Sequence, residues 1–137
     1  MKINGTTKLY GIIGTPIEHT MSPLIHGTFA DALGIDMVYV PFHVAEGQLE
    51  AAIKGAYGLN VCGMNVTVPY KNAVIPFLTE VDKRAEAAGS VNTLVRDDRE
   101  DKAGFIGYNT DMSGLWRAMQ EDGISLKNEQ VIVLGAG

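Results

Sequence analysis

The sequence predicts an α/β domain whose mostly parallel, mixed sheet is flanked by helices. Short runs rich in β-branched and aromatic residues alternate along the chain with segments whose apolar residues recur at helical spacing. This alternation is typical of parallel strands joined by crossover helices. The chain has 137 residues, 46% of them hydrophobic, which is enough to bury one ordinary core. Pattern and length therefore indicate the same class.

Three strands and two helices are predicted in the first half of the chain. The strands are expected at 8–14, 37–44 and 63–69. The first helix starts at Ser22, which is a typical N-cap, with Pro23 in the first helical position and Gly34 behind the last turn. A second helix is predicted from 46 to 57, and Gly58 ends it.

The second half of the chain contains a predicted hairpin. A helix capped by Asn72 is predicted to run to Val81. Strands at 90–97 and 103–110 surround the charged sequence DDREDK, which indicates a turn between two antiparallel strands. A final helix is predicted over 112–122, because its apolar residues recur at i, i+3, i+4 and i+7.

The chain is predicted to divide at the final helix. Residues 1–111 are expected to form one domain, and 112–128 a connector helix with a polar linker. Residues 129–137 contain the apolar run 131–134 and end in Gly-Ala-Gly, which is typical of a strand leading into a dinucleotide-binding turn. We expect this stretch to be the first strand and opening glycine turn of a truncated Rossmann domain.

Charge and composition exclude several classes of function. The net charge of −5, with acidic and basic residues interspersed, argues against nucleic acid and against an anionic membrane as the main partner. Cys62 is the one cysteine, which excludes an internal disulfide. No stretch approaches the roughly 20 apolar residues of a membrane span, and His19, His26 and His43 lack metal-ligand spacing. A cytoplasmic protein without a bound metal is expected.

Polar residues cluster where the predicted strands end, which is where ligands bind in such sheets. Thr20 and Ser22 stand two residues apart after the first strand, at the start of a helix. Two hydroxyls beside free helix-end amides can hold a small carboxylate or phosphate. The alternative is that Ser22 only caps the helix and Thr20 is an ordinary loop residue. The pattern leaves both interpretations open.

A second polar cluster follows the third predicted strand. Asn65 and Thr67 are two residues apart, so both side chains project from one face of the strand. Lys71 comes shortly afterwards and could turn back over the same edge as a proton donor or acceptor. A single lysine is otherwise an ordinary solvated surface group, and this alternative also stays open.

Two further polar groups belong to the predicted hairpin. Asn92 sits among small and apolar residues, and a buried asparagine needs partners, which are either backbone groups or a ligand hydroxyl. Asn109, Thr110 and Asp111 close the second hairpin strand. Asp111 either caps the following helix or pairs with Lys71, which would orient the lysine and offer a carboxylate to a substrate hydroxyl.

Five motifs together resemble the shikimate dehydrogenase family. In chain order they are GTPIEHTMSPLIH (14–26), GMNVTVPYK (63–71), AGSVNTL (88–94), GYNTD (107–111) and VIVLGAG (131–137). One such motif carries little information by itself, but five in the family's order and spacing are specific. The resemblance covers the chain from about Tyr10 to Gly137.

The resemblance implies an NADP-dependent oxidoreductase that interconverts 3-dehydroshikimate and shikimate on the route to chorismate and the aromatic amino acids. It implies that Thr20 and Ser22 hold the substrate carboxylate. The residues implied to bind the ring hydroxyls are Asn65, Thr67, Asn92 and Asp111. Lys71 and Asp111 are implied as the catalytic pair, in which Lys71 moves the proton. The family requires no metal.

The resemblance also implies a cofactor site and leaves specificity open. Gly135, Ala136 and Gly137 would form the opening of an incomplete NADP site, so we expect the chain to bind shikimate and to be inactive alone. A homodimer is one assembly that the family allows. Thr20 stands where the family commonly has serine, and the extra methyl group stiffens the side chain. The alternatives are a quinate/shikimate dehydrogenase of broader specificity and a non-catalytic shikimate-binding module.

Overall fold

A computed structural model describes residues 3–134. Its strands are β1 (Lys8–Gly14), β2 (Met37–His43), β3 (Gly63–Val66), β4 (Glu80–Val81), β5 (Thr93–Asp97) and β6 (Gly104–Tyr108). Its helices are α1 (Ser22–Leu33), α2 (Leu49–Gly58), α3 (Tyr70–Ala73), α4 (Lys83–Ala88) and α5 (Asp111–Glu121). A 3-10 turn at Ile75–Phe77 lies between α3 and β4.

The six strands form one mixed sheet in the order β2-β1-β3-β5-β6-β4. The pairs β1–β2, β1–β3 and β4–β6 are parallel, and the pairs β3–β5 and β5–β6 are antiparallel. The predicted class is therefore confirmed, and so is the predicted hairpin, which is β5–β6. This order brings the carboxyl end of β3 next to the amino end of β5, because those two strands run in opposite directions.

The main hydrophobic core lies on one face of the sheet. Its fully buried strand residues include Ile13, Leu94 and Phe105, and they pack with Ile53 of α2 and Ala85 of α4. Neighbouring residues of a strand point to opposite faces. Ile12 accordingly belongs to a second, smaller cluster with Ile17 and Tyr39. The sheet is therefore covered on both faces near β1.

The predicted helix over residues 72–81 is wrong. The chain forms α3, the 3-10 turn and the short strand β4 instead. Pro76 has no N–H to continue a helical ladder. Downstream, Thr79 N donates to Phe105 O at 3.0 Å, and Asp82 N donates to Gly107 O at 2.9 Å. Backbone pairing with β6 is therefore satisfied here in place of a local helix.

The strand predicted in residues 129–137 is not formed in the described part of the chain. No backbone hydrogen bond within residues 3–134 reaches 130–134. Ile132, Val133 and Leu134 are 85%, 80% and 93% exposed. A strand needs the N–H and C=O groups of a neighbour, and within residues 3–134 no backbone group pairs with this run. Residues 135–137 lie outside the described residues, and the division into domains remains a prediction.

The helices that the structure describes are all short or polar. None of those in residues 3–134 combines the length and the apolar character that a membrane crossing requires.

Candidate functional site

Lys71 and Asp111 form an ion pair beside the sheet. Lys71 belongs to α3, which follows β3, and Asp111 is the first residue of α5, which follows β6. Lys71 Nζ lies 2.7 Å from Asp111 Oδ2, and the two side chains are 31% and 55% exposed. The pair predicted from the sequence therefore exists, and a ligand can reach it from solvent. The alternative of an unattached surface lysine is not what the structure shows.

Asn92 holds the same carboxylate from the other side. Its side chain is 8% exposed. Asn92 Nδ2 donates to Asp111 Oδ1 and to Thr110 Oγ1, both at 2.8 Å. Asn92 Oδ1 accepts from Thr110 N at 3.0 Å. Both carboxylate oxygens of Asp111 thus have a donor, and the orientation of the carboxylate is defined by two separate elements.

Asn65 is fixed by a residue that the sequence pattern did not single out. Tyr39 donates its hydroxyl to Asn65 Oδ1 at 2.6 Å. Asn65 Nδ2 donates to Asn92 O at 3.3 Å, so the amide bridges two strands. The signal in the sequence was a tyrosine in a predicted strand, but strand order was needed to place it beside Asn65.

The Tyr39 ring is buried and stacked. The ring of His26 lies parallel to it, with 4.2 Å between centroids and 7° between planes. Burial raises the pKa of Tyr39 to about 12, while the nearby Ser22 hydroxyl acts in the opposite direction. The phenol is therefore a neutral hydrogen-bond donor throughout the physiological range.

Thr20 and Ser22 lie together at the amino end of α1. Thr20 Oγ1 donates to Ser22 Oγ at 3.1 Å and lies 3.2 Å from Ser22 N, from which it accepts. The helix begins at Ser22 and the capping position is Met21, without a side-chain bond. The prediction that Ser22 is the N-cap is therefore wrong by one residue, because Met21 O already accepts the first helical hydrogen bond, from Ile25 N at 3.1 Å. Two hydroxyls at a twelve-residue helix's amino end suit an anion.

Thr67 marks the place where β3 meets the end of β1. Thr67 N donates to Ile13 O at 3.0 Å. A methyl group on Gly14 would lie 2.5 Å from Thr67 Cγ2, so glycine allows this approach. Within residues 3–134 the Thr67 hydroxyl has no hydrogen bond, and the structure does not join it directly to the Lys71–Asp111 pair.

His43 contacts two residues of the loop that follows β1. His43 Nδ1 lies 3.4 Å from Glu18 Oε1, and His43 Nε2 lies 3.4 Å from Thr15 Oγ1. Local backbone hydrogen bonding and the His43 charge hold the pKa of Glu18 below its ordinary value. These contacts brace the loop that carries Thr20. Residues 3–134 contain no group of three His, Cys, Asp or Glu side chains arranged for a metal.

Comparison with known proteins identifies the family. A family model described as the shikimate dehydrogenase substrate binding domain matches residues 12–94, which is more than half of the chain. The chain belongs to the shikimate dehydrogenase family. The Thr20–Ser22 loop, Asn65, Lys71 and Asn92 all lie within the match.

Relatives in the shikimate dehydrogenase family are similar over nearly the whole chain. The shikimate dehydrogenase (NADP(+)) of Carboxydothermus hydrogenoformans is 45% identical over all of this chain and 48% of its own length. That of Geobacillus kaustophilus is 46% identical over 95% of this chain and 46% of its own length. The chain spans about half the length of the curated relatives it matches.

Solved structures of shikimate dehydrogenases share the fold. Shikimate 5-dehydrogenase from Listeria monocytogenes, solved with shikimate and NAD, has a TM-score of 0.82 and 36% identity, covering 92% of this chain and 42% of that one. The Thermus thermophilus enzyme, solved with NADP(H) and shikimate, has a TM-score of 0.77 and 28% identity, covering 88% of this chain and 44% of that one.

Proposed function

We propose that the chain forms the substrate-binding part of an NADP-dependent shikimate dehydrogenase, which reversibly reduces 3-dehydroshikimate to shikimate in the biosynthesis of chorismate and the aromatic amino acids. The observation that carries this proposal is the Lys71–Asp111 ion pair of 2.7 Å, braced by the buried Asn92. The names of the relatives support the same activity and cofactor.

The substrate carboxylate is assigned to Thr20 and Ser22. Their hydroxyls are 3.1 Å apart at the amino end of α1, where free amides favour a negative charge. The ring hydroxyls are assigned to Asn65, Thr67, Asn92 and Asp111. The carboxylate oxygens of Asp111 have two lone-pair sites beyond the bonds to Lys71 and Asn92, so a substrate hydroxyl can still donate to them.

Lys71 is assigned the proton transfer to and from the reacting oxygen of the substrate. When shikimate is oxidised, the reacting hydroxyl passes its proton to Lys71 Nζ, and the carbon that carries the hydroxyl loses its hydrogen as hydride. When 3-dehydroshikimate is reduced, the Lys71 ammonium returns a proton to the developing alkoxide. Asp111 holds the lysine in place through the 2.7 Å contact and binds the hydroxyl beside it. A positioned proton donor of this kind contributes roughly 10²–10⁴-fold to a rate.

NADP, when bound, exchanges the hydride with the reacting carbon. The residues expected to open its site are Gly135, Ala136 and Gly137, which lie outside residues 3–134. The cytoplasmic location expected from composition stays a prediction, and so does the homodimer.

The test is the NADP-dependent oxidation of shikimate by the full-length enzyme that contains this chain, with Lys71 changed to alanine (Lys71→Ala). We expect kcat to fall by roughly 10²-fold or more, because the proton acceptor is lost. Lys54→Ala is the matched control, since Lys54 also forms a 2.6 Å ion pair, with Glu50, but on the exposed face of α2. Near-normal turnover by Lys71→Ala would refute the assignment of Lys71.

A second candidate is a quinate/shikimate dehydrogenase, and the observation that favours it is Thr20. The methyl group of threonine restricts the side-chain rotamers of Thr20, which is proposed to bind the substrate carboxylate. Comparing kcat/KM for quinate and for shikimate decides between the two candidate functions. If the enzyme does not oxidise quinate, this second candidate is excluded. Calorimetric titration of the 137-residue chain with shikimate, beside an NADP assay of the full-length enzyme that contains it, addresses the third alternative: binding by the chain with no turnover by the full-length enzyme indicates a shikimate-binding module.

A further inference from the structure

Asn109 is a buried polar residue to which the proposed chemistry gives no role. It follows β6, two residues before Asp111, and its side chain is 8% exposed. A buried amide needs partners for both of its ends. Asn109 Nδ2 donates to Ser90 O at 2.8 Å, and Asn109 Oδ1 accepts from Met112 N at 3.0 Å. The residue therefore bridges two separate backbone segments.

Asn109 takes over the capping of α5. The helix begins at Asp111, and its capping residue Thr110 makes no side-chain cap bond. The Thr110 hydroxyl accepts from Asn92 instead. The first-turn amide of Met112 would otherwise be unpaired by the helix itself, and Asn109 supplies its acceptor. The position of the first turn, which carries Asp111, thus depends on Asn109.

The segment bridged by Asn109 also holds the lysine. Val91 N donates to Lys71 O at 2.8 Å, directly after Ser90. Residues 90–91 therefore fix the main chain of Lys71 on one side and, through Asn109, the first turn of α5 on the other. Both members of the ion pair, Lys71 and Asp111, are therefore held in place by contacts with the same short segment, residues 90–91.

We propose that Asn109 is a positioning residue for the reaction, whose amide ties the Ser90 carbonyl to the first turn of α5 and so sets the Asp111 carboxylate opposite Lys71. This inference rests on the proposed function. Asn109 touches neither the ion pair nor the substrate, and it acts through Asp111. The position of the Asp111 carboxylate matters for the rate, because a displacement of about 1 Å of a group in an active site can lower a rate by roughly 10²-fold.

The experiment uses Asn109→Asp in the NADP-dependent enzyme. The aspartate has almost the same shape and keeps an oxygen for Met112 N, but it replaces the donor to Ser90 O with a second acceptor. We expect kcat for shikimate oxidation to fall by about 10- to 100-fold, with a smaller change in KM. Unchanged kcat in a folded variant would overturn the proposal.

Asn72→Asp is the matched control. Asn72 Nδ2 donates to Gly89 O at 2.6 Å, so the same chemical change removes a donor from the neighbouring carbonyl of the same loop. Asn72 is exposed and makes no bond to α5. We expect its kcat to stay within about twofold of wild type, because the bond from Val91 N to Lys71 O, which holds the main chain of the lysine, is left in place. An equal loss of kcat in both variants would overturn the proposal.

A double-mutant cycle separates positioning from general damage. In an Asp111→Asn background, Asn109→Asp should lower kcat by less than about twofold further, because the group it positions has already been changed. A purely structural role would lower kcat by the same factor in both backgrounds, and that result would overturn the proposal. If Asn109→Asp does not fold, Asn109→Ser, which replaces the amide with a shorter hydroxyl and adds no charge, is carried through the same cycle.

Failure of the inference and failure of the proposed function give different results. An enzyme that turns over shikimate, and whose Asn109 variants keep the wild-type kcat, contradicts the inference alone. A wild-type enzyme without NADP-dependent turnover of shikimate contradicts the proposed function, and the inference falls with it.

Discussion

The Asp111 carboxylate receives a hydrogen bond on each oxygen, from Lys71 and from the buried Asn92. Stability does not explain this arrangement. With side chains 31% and 55% exposed, an ion pair of this kind contributes at most about 1 kcal/mol. A partly exposed pair that is nevertheless held by a buried amide is better explained by orientation for chemistry. Asn65 is held in a similar way, because the buried Tyr39 donates a hydrogen bond to its more accessible side-chain amide.

Tyr39 provides a prediction for pH dependence. Its folded-state pKa of about 12 exceeds the ordinary value of 10, so the unfolded chain loses this proton first as the pH rises. Stability from this group is fully present below pH 10 and is lost between pH 10 and 12, by about 2–3 kcal/mol. Urea unfolding of wild type and Tyr39→Phe at pH 9 and 12 measures it. The loss should be smaller in Tyr39→Phe; equal losses would contradict the assignment.

At the scale of elements, the site depends on how closely the ends of β1 and β3 approach. The strands pair in parallel, and Thr67 N continues the pairing by donating to Ile13 O. Gly14 is what permits the next contact, since any side chain there meets Thr67 Cγ2 and the Val68 carbonyl. The loop with Thr20 and Ser22 leaves β1 at this point, so the spacing of the two strands and the position of these two hydroxyls are linked.

We expect Gly14→Ala to destabilise the fold by about 1–3 kcal/mol, because the added methyl group would lie 2.5 Å from Thr67 Cγ2 and 3.0 Å from Val68 O. Gly27→Ala is the control. Gly27 lies within α1 and nothing would come within 4 Å of its methyl group, so a gain of up to about 1 kcal/mol is expected. Urea unfolding measures both. A stabilised Gly14→Ala would show that the strands separate easily.

At the scale of the whole molecule, residues of the candidate site that contact each other lie far apart in the sequence. The sheet brings them together, because Lys71 follows β3 and Asp111 follows β6. Lys71 and Asp111 are 40 residues apart, and Tyr39 and Asn65 are 26 apart. A ligand that contacts both the loop before α1 and the Lys71–Asp111 pair bridges several elements of the fold. It should therefore stabilise the molecule as a whole.

Shikimate at 100 times its Kd should raise the free energy of unfolding by about 2.7 kcal/mol, since it binds the folded state alone. Shikimate methyl ester at the same concentration is the control, because it lacks the charge that Thr20 and Ser22 are proposed to hold. Its effect should be clearly smaller. Thermal and urea unfolding give the comparison, and equal stabilisation by both compounds would contradict the carboxylate assignment.

Local pattern was sufficient for most elements and for the polar clusters. Alternating strands and helices, the hairpin and the Lys71–Asp111 pairing were predicted and are present in the structure. The helix over 72–81 failed because pairing with β6, which is remote in sequence, competes with local helical spacing. The strand predicted within residues 129–137 pairs with no strand in residues 3–134, and as part of the domain division it stays a prediction.

The sequence by itself determined the fold class, the family motifs and the residue types that could bind and move a proton, since those depend on local spacing and side-chain chemistry. Only the tertiary structure decided which groups meet. It put Tyr39 on Asn65, Asn92 on Asp111 and Asn109 on Ser90. The physical reason is that buried amides and hydroxyls take their partners from neighbouring strands, and strand order is set by packing of the whole sheet.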